Sequence, residues 1–320
     1  VALVATLLGE EPIGVGRLLT ILTGSSSAEP DVAETILWQV RGPRILLAAL
    51  VGATLGLTGA VLQSILRNPL AEPHLIGVSS GAALGVMIAG TWSFGGALAG
   101  FTATSLLAFA GGMAALIALY QLSKVEGRVR PDTLVLAGVV LNGTLAAGIM
   151  FLTSYLDPAR VFGRVVWLMG NLGALDASTL WLIAPPLMAG MVFLCLQGRR
   201  LTVMTLGGDI AQSLGVPADT VTRATLIVSA LMIGMAVSVS GMIGFVGILT
   251  PHILRRLIGP DYRLLLPASV LGGAIFLIVA DTVARVALSP SEIPVGVVTA
   301  LWGGPFFLSL LARRRLGACP

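Results

Sequence analysis

RGPRILLAALVGATLGLTGAVLQSILRNPLAEPHLIGVSSGAALG occupies residues 41–85. Its first part, 45–66, is uncharged and apolar over a length that can cross a bilayer core, for which about 20 residues suffice. The chain then turns abruptly polar, with Arg67, Asn68, Pro69, Glu72, Pro73, His74, Ser79 and Ser80, before a second apolar run takes over at 75. Irregular backbone at membrane depth is tolerated only where protein or a water-filled cavity surrounds it. The polar interruption therefore marks either a catalytic turn, since residues 77–81 match G-x-S-x-G, or irregular backbone at the mouth of a membrane pathway.

The same alternation continues outward. Uncharged runs recur at 75–122, 133–156, 177–198, 224–254, 264–280 and 293–312. Hydrophobic residues make up 56% of the chain and charged residues 11%, and mean hydropathy is +0.97. Soluble domains carry about a quarter charged residues, so this chain lacks the polar surface to cover itself in water. Its 40 glycines fit the enrichment of Gly in membrane helices. The expected fold is an all-α polytopic membrane protein, with 1–320 as a single transmembrane domain. The run 75–122 accommodates two spans with a break near 91–96, and VALVATLLG reads as the tail of a span truncated at its start.

Positive charge orients the spans. Arg67, Lys124, Arg128, Arg130, Arg199, Arg200, Arg223, Arg255, Arg256, Arg263, Arg313, Arg314 and Arg315 fall on one side, which is taken as cytoplasmic. Arg17, Arg41, Arg44, Arg160 and Arg164 fall on the other. Arg223 and Arg255 both belong inside, so 224–254 must cross an even number of times, yet it is too short for two full helices. One full span, a turn at Gly241, Gly244 and Gly247, and a half-helix stiffened by Pro251 satisfy both constraints; a simple kinked helix is the alternative. Gly52, Gly56 and Gly59 let another backbone approach closely, within the chain sooner than across a dimer.

Several function classes recede. The net charge of +4 comes with a single lysine and no basic face interleaved with aromatics, so nucleic acid is not the expected partner. Cys195 and Cys319 suggest neither a disulfide framework nor a metal site. A phosphate-binding loop requires Gly-Lys-Ser/Thr, and the one lysine, Lys124, precedes Val125; an ATP-driven process would need its ATPase on another subunit. Ion coupling needs an acidic group within a span, and Asp281 is the candidate, although Arg285 lies at i+4 where a structural pair forms. GVSSG, residues 77–81, matches a serine nucleophile elbow, but that motif requires a preceding strand and a base, and the chain holds only His74 and His252.

One polar loop on the cytoplasmic side invites a partner. Within 201–222, Asp209 is expected as the N-cap of a short helix, IAQSL continues it, Gly215 ends it, and Pro217 suits the start of the next. So short a helix is rarely stable alone. Presenting it in a fixed pose to an ATPase is one reading, and packing on its own protein is the other.

Taken together, the 41–85 block, GGDIAQSLGV, SGMIGFVGILTPHILRRLIGPDYRLLLP and ADTVARVALSPSEIPVGVVTALWGGPFFLSLL resemble, in order and spacing, the permease family of type II ABC importers for ferric siderophores, haem and cobalamin. The resemblance implies about ten transmembrane helices, including short or broken ones, in a multi-pass protein of the bacterial inner membrane. It implies a homodimer in the lipid bilayer, two ATP-binding subunits below and a periplasmic or extracellular substrate-binding protein above. ATP and Mg would reside on the partner ATPase, with no cofactor or metal in this chain and no catalysis by it. Arg41, Arg44 and Arg285 correspond to positions that dock the binding protein from an outer rim. Asn68 and Leu70 correspond to a cytoplasmic gate. Asp209, Ile210, Ala211, Gln212, Ser213, Leu214 and Gly215 correspond to the coupling helix. Family breadth favours an iron chelate, siderophore or haem, as cargo over cobalamin. Glu72 and His74 are read as loop hydrogen-bonding groups, and 157–178 as an outer amphipathic helix with Trp167 near the interface.

Overall fold

The apolar run after Arg41 folds as the innermost helix. In the computed structural model, which describes residues 1–7, 14–22, 32–89, 97–125, 128–156, 158–173, 177–289 and 291–316, helix α4 spans Gly42–Ile65. Three short helices precede it: α1 (Ala2–Leu7), α2 (Val15–Leu22) and α3 (Val32–Thr35). A π-helical turn, Ile36–Arg41, joins α3 to α4 without a break, so the helix begins before the apolar run. Pro43 explains the turn. Proline removes an amide donor and crowds the carbonyl four residues back, and the Gly42 N–H accordingly bonds the Leu37 carbonyl, five residues back.

After α4 come a 3-10 turn, Pro73–Ile76, then α5 (Val78–Ala89), α6 (Ala97–Leu122), α7 (Pro131–Tyr155), α8 (Pro158–Leu168) and α9 (Ala177–Leu196). Further along lie α10 (Gly198–Met204), α11 (Gly208–Ser213), α12 (Ala218–Ser240), α13 (Val246–Ile258), α14 (Tyr262–Val286) and α15 (Val295–Leu316). Among the described residues the only strands are β1 (Lys124–Val125) and β2 (Arg128–Val129), an antiparallel pair with Lys124 opposite Val129. Six helices are long and apolar enough to cross a membrane. With α1, α5, α13 and α15 they form the all-α polytopic arrangement of about ten spans, several of them short. The break expected at 91–96 lies outside the described residues.

Burial separates centre from periphery. The span ending at Ile65 is 83% buried, whereas the α7 span is 11% buried. Glycine lets α4 sit so deep. A Cβ on Gly56 would fall 2.5 Å from the Ser269 carbonyl oxygen of α14, Gly52 abuts Gly273, and Gly59 abuts Gly247 of α13. These contacts are all within the chain. Buried apolar side chains fall into two main clusters. One joins α4, α9, α10, α12 and α14; the other joins the end of α4, the following loop, α5, α6, α7 and the opposite face of α12.

The stretch 224–254 breaks as its length and charge require. Helix α12 ends at Ser240, residues 241–245 are irregular, and α13 rises only about 20 Å over 13 residues, at 1.5 Å each. Gly247 lies inside α13 rather than in the turn, and Pro251 lies within the half-helix as expected. The amphipathic helix expected in 157–178 is α8, and the backbone after it is stitched across the bundle: Asn171 N–H donates to the Ser240 carbonyl, and Val295 N–H donates to the Gly170 carbonyl.

Candidate functional site

Helix α4 is about 36 Å long at 1.5 Å per residue, and the two ends of the bundle are chemically distinct. At its start, Arg41, Arg44 and Arg285 come together, as expected. Arg44 Nε donates to Asp281 Oδ1 at 3.0 Å, its Nη2 lies 3.0 Å from the same oxygen, and its Nη1 donates to Glu292 Oε1 at 2.9 Å. Arg285 Nε pairs with Asp281 Oδ2 at 3.2 Å. Arg285 Nη2 and Arg41 Nη1 donate to the carbonyls of Ala5 and Thr6, where the C-terminal end of α1 attracts cations.

The three guanidiniums are largely buried within the chain. Arg41 and Arg285 are 5% and 9% exposed, and the Arg44 side chain is 11% exposed. A guanidinium cannot stay buried without carboxylate or carbonyl partners, and the chain supplies them from Asp281, Glu292 and α1. Glu292 had no assigned role in the sequence, and Asp281 is bound by Arg44 as well as by its i+4 neighbour.

At the other end, residues 67–77 form a collar. Asn68 Oδ1 accepts the Leu70 N–H at 2.9 Å, an Asx-type turn that leaves Leu70 exposed. Arg67 has φ 47° and Phe245 has φ 68°, and these are the two non-glycine residues with positive φ among those described. Backbone strain of this kind costs on the order of 1–3 kcal/mol and gathers where function constrains the chain. The two strained residues are linked through the collar: Phe245, which opens α13, donates its N–H to Glu72 Oε1. A carboxylate there also meets the positive end of the α13 dipole. Glu72 is thus a loop hydrogen-bonding group, but one that clamps the collar to the half-helix across 173 residues. On the far side, Asn142 Nδ2 donates to the His74 carbonyl, and Ser80 Oγ donates to Asn142 Oδ1.

The expected coupling segment is helical and displayed. Helix α11 begins two residues earlier than expected, at Gly208, with Gly207 as N-cap at φ 124°. Asp209 is therefore in the first turn, beside the helix's positive end, rather than the cap. Gly215 at φ 81° ends the segment, as only glycine does cheaply. Ala211 is fully buried, while Ile210 and Leu214 are 51% and 62% exposed; Gln212 and Ser213 share that open face. Ser64 Oγ near the end of α4 donates to the Leu201 carbonyl of α10 at 3.0 Å, and Arg255 Nη2 donates to Gln63 Oε1 at 2.8 Å and Tyr262 Oη at 3.2 Å. The end of α4 is therefore tied by polar bonds to α10, which precedes α11, and to α13 and α14.

The nucleophile-elbow reading fails on this geometry. GVSSG follows a 3-10 turn instead of a strand, Ser79 Oγ is buried with no hydrogen-bond partner, and Ser80 Oγ is engaged by an amide. No group of three or more His, Cys, Asp or Glu side chains placed to hold a metal occurs among the described residues.

Comparison with known proteins accounts for nearly the whole chain. The model of the FecCD transport family matches residues 1–313. The chain is 38% identical over 317 residues to the hemin transport system permease protein HmuU of Yersinia pestis, covering 98% of this chain and 94% of that protein. It is 40% identical over 296 residues to the cobalamin import system permease protein BtuC of Halobacterium salinarum, covering 90% and 76%. A solved transporter assigned to the metal-chelate ABC type, in an inward-facing conformation, superposes with a TM-score of 0.83 at 34% identity, covering 98% of this chain and 95% of that one. The chain belongs to the FecCD transport family.

Proposed function

We propose, from that membership, that this chain is the transmembrane permease subunit of an ABC importer that carries a metal chelate across the bacterial inner membrane. The observation that carries the proposal is the near full-length likeness to permeases for hemin and cobalamin and to a metal-chelate transporter. Haem or a ferric siderophore is the first choice of cargo, with cobalamin the alternative. The chelate would be carried whole, because the described residues offer no cluster to take its metal.

In this reading two copies of the chain enclose the path, and two ATP-binding subunits, which hold ATP and Mg, grip α11 through Ile210 and Leu214. Their movement passes through Leu201 and Ser64 to the end of α4 and so to Asn68 and Leu70, which gate the inner mouth. A substrate-binding protein loads the other end through Arg41, Arg44 and Arg285. Alternating access follows when the two ends open in turn. The exposed apolar face of α11 and the network behind it support this direction of drive.

Reconstitution in vesicles with the partner ATPase tests the assignment. Uptake of hemin, a ferric siderophore or cobalamin is expected only with ATP on the α11 side, and it should survive a protonophore. Uptake by the chain alone, or collapse with the proton gradient, would replace this reading with an ion-coupled carrier built on Asp281.

A further inference from the structure

The arginine cluster holds two carboxylates of very different character. Asp281 is 2% exposed, is shared by Arg44 and Arg285, and projects from the interior of α14. Glu292 is 52% exposed, comes from the connection between α14 and α15, and reaches only Nη1 of Arg44. Beside that nitrogen lies a cleft of about 50 Å³ bordered by Gly170, Asn171, Glu292 and Pro294. A water molecule takes about 30 Å³ of liquid, so the space suits a carboxylate head.

We propose that Glu292 is an internal stand-in for the carboxylate of a docking protein: it occupies Arg44 while the chain is undocked and yields when a partner carboxylate arrives in the cleft. The proposal rests on the docking role of Arg44. The energetics divide the two acids. An ion pair with one solvated member is weak, so Glu292 leaves at little cost, whereas removing Asp281 would take from two buried guanidiniums the one buried carboxylate they share. Arg44, Arg285, Asp281 and Glu292 are balanced in charge as a set. Withdrawal of Glu292 leaves that set positive, which favours an incoming anion and holds the bidentate fork of Arg44 ready for it. The stand-in also keeps Arg44 from lipid phosphate in the resting state.

The test uses the assembled transporter in nanodiscs and the Glu292→Gln variant. Phenylglyoxal modification of Arg44, followed by peptide mass spectrometry, should run about two- to fivefold faster in the variant, the size of one exposed ion pair, with Arg285 unchanged. Equal rates at Arg44 overturn the stand-in whatever the docking role. The second arm measures binding of the transporter's own substrate-binding protein. Glu292→Gln should tighten it by a similar factor, and the gain should vanish in an Arg44→Ala background; a gain that persists there is long-range charge and refutes the proposal. Faster modification without tighter docking also refutes it. If Arg44→Ala alone leaves docking unchanged, the docking role itself has failed and the stand-in falls with it, a result recognisable because it does not involve Glu292.

Discussion

Asp281→Ala should be among the most damaging single substitutions in the chain, and the structure says why. The carboxylate is 2% exposed and lies 3.0 Å from Arg44 and 3.2 Å from Arg285, whose side chains are 11% and 8% exposed. Truncation leaves two guanidiniums in a site water barely reaches, and breaking a buried pair in this way costs about 3–5 kcal/mol. Glu292→Ala removes a contact of equal length, but from a side chain half in solvent, where the loss is about 0–1 kcal/mol. Distance alone predicts equal effects; burial predicts a large difference. Asp281→Asn should also be strongly destabilising, because it removes the negative charge and turns an NH2 donor towards one of the two guanidiniums while its oxygen serves only the other.

Denaturant titration of the purified permease in mixed micelles reads these differences. A third variant separates a lost pair from an orphaned charge: Arg44→Met, Asp281→Leu and Arg285→Met together remove both signs while keeping volume, and such apolar replacement of a buried ion cluster is often neutral or stabilising. The triple variant should recover most of the stability lost by Asp281→Ala. If Asp281→Ala and Glu292→Ala cost the same, or the triple variant is worse than Asp281→Ala, the account of this cluster is wrong.

Other consequences are as direct. Gly56→Ala places a methyl group 2.5 Å from a backbone oxygen that cannot swing away, and should cost about 1–3 kcal/mol as overpacking does; Gly143→Ala, with nothing within 4 Å, is the neutral control in the same titration. Ile210→Glu with Leu214→Glu alters only exposed positions of α11, and should abolish pull-down of the ATPase subunit while leaving the thermal midpoint of the permease alone within a degree or two. Glu72→Ala removes the acceptor for Phe245 N–H and should raise ATP hydrolysis uncoupled from uptake by severalfold. Glu72→Gln keeps an acceptor oxygen and should retain coupling; equal behaviour of the two variants would show that the clamp does not transmit.

What could be read from the sequence and what could not divide by distance along the chain. The break between α12 and α13 was legible because two arginines and a length set an even crossing count, which is local arithmetic. The end of α11 was legible from Gly215 for the same reason, while its start was misplaced by two residues: Asp209 has the side chain of a good cap, but the backbone at Gly207, φ 124°, is what caps the helix. The span was started at 45, where the uncharged run begins, but the helix itself starts earlier, because a π-helical turn carries it through Pro43. The three arginines were named together by resemblance, and, apart from Asp281 for Arg285, their partners within the chain were not. Periodicity reveals Asp281 and Arg285 four residues apart, yet the partner of Arg44 lies 237 residues away in sequence, and no local pattern announces it. The Glu72 clamp was hidden in the same way.

Those long-range ties also indicate where the bundle is able to move. Helices α4 and α14 are joined by backbone contact at Gly52 and Gly56 and by ion pairs at Arg44, while Arg255 of α13 bonds to Gln63 of α4 and Tyr262 of α14. Separating them anywhere breaks close packing or a buried polar bond. Helices α5 and α6 form a second tight pair, Gly81 against Gly111, with α7 attached through Asn142, and their apolar core is distinct from the first. Residues 67–77 connect the two groups directly, with left-handed backbone at Arg67 and at Gly77. Hinges are a few loop residues that absorb a change of dihedral angle between packed bodies, and here the collar has that position. Glu72 is the bond that crosses from it to α13, so its loss should free the collar while leaving both helix groups intact. A drop in hydrogen-exchange protection confined to 67–77 in Glu72→Ala would fit that division; loss spread through α4 and α14 would show that the two groups are one body after all.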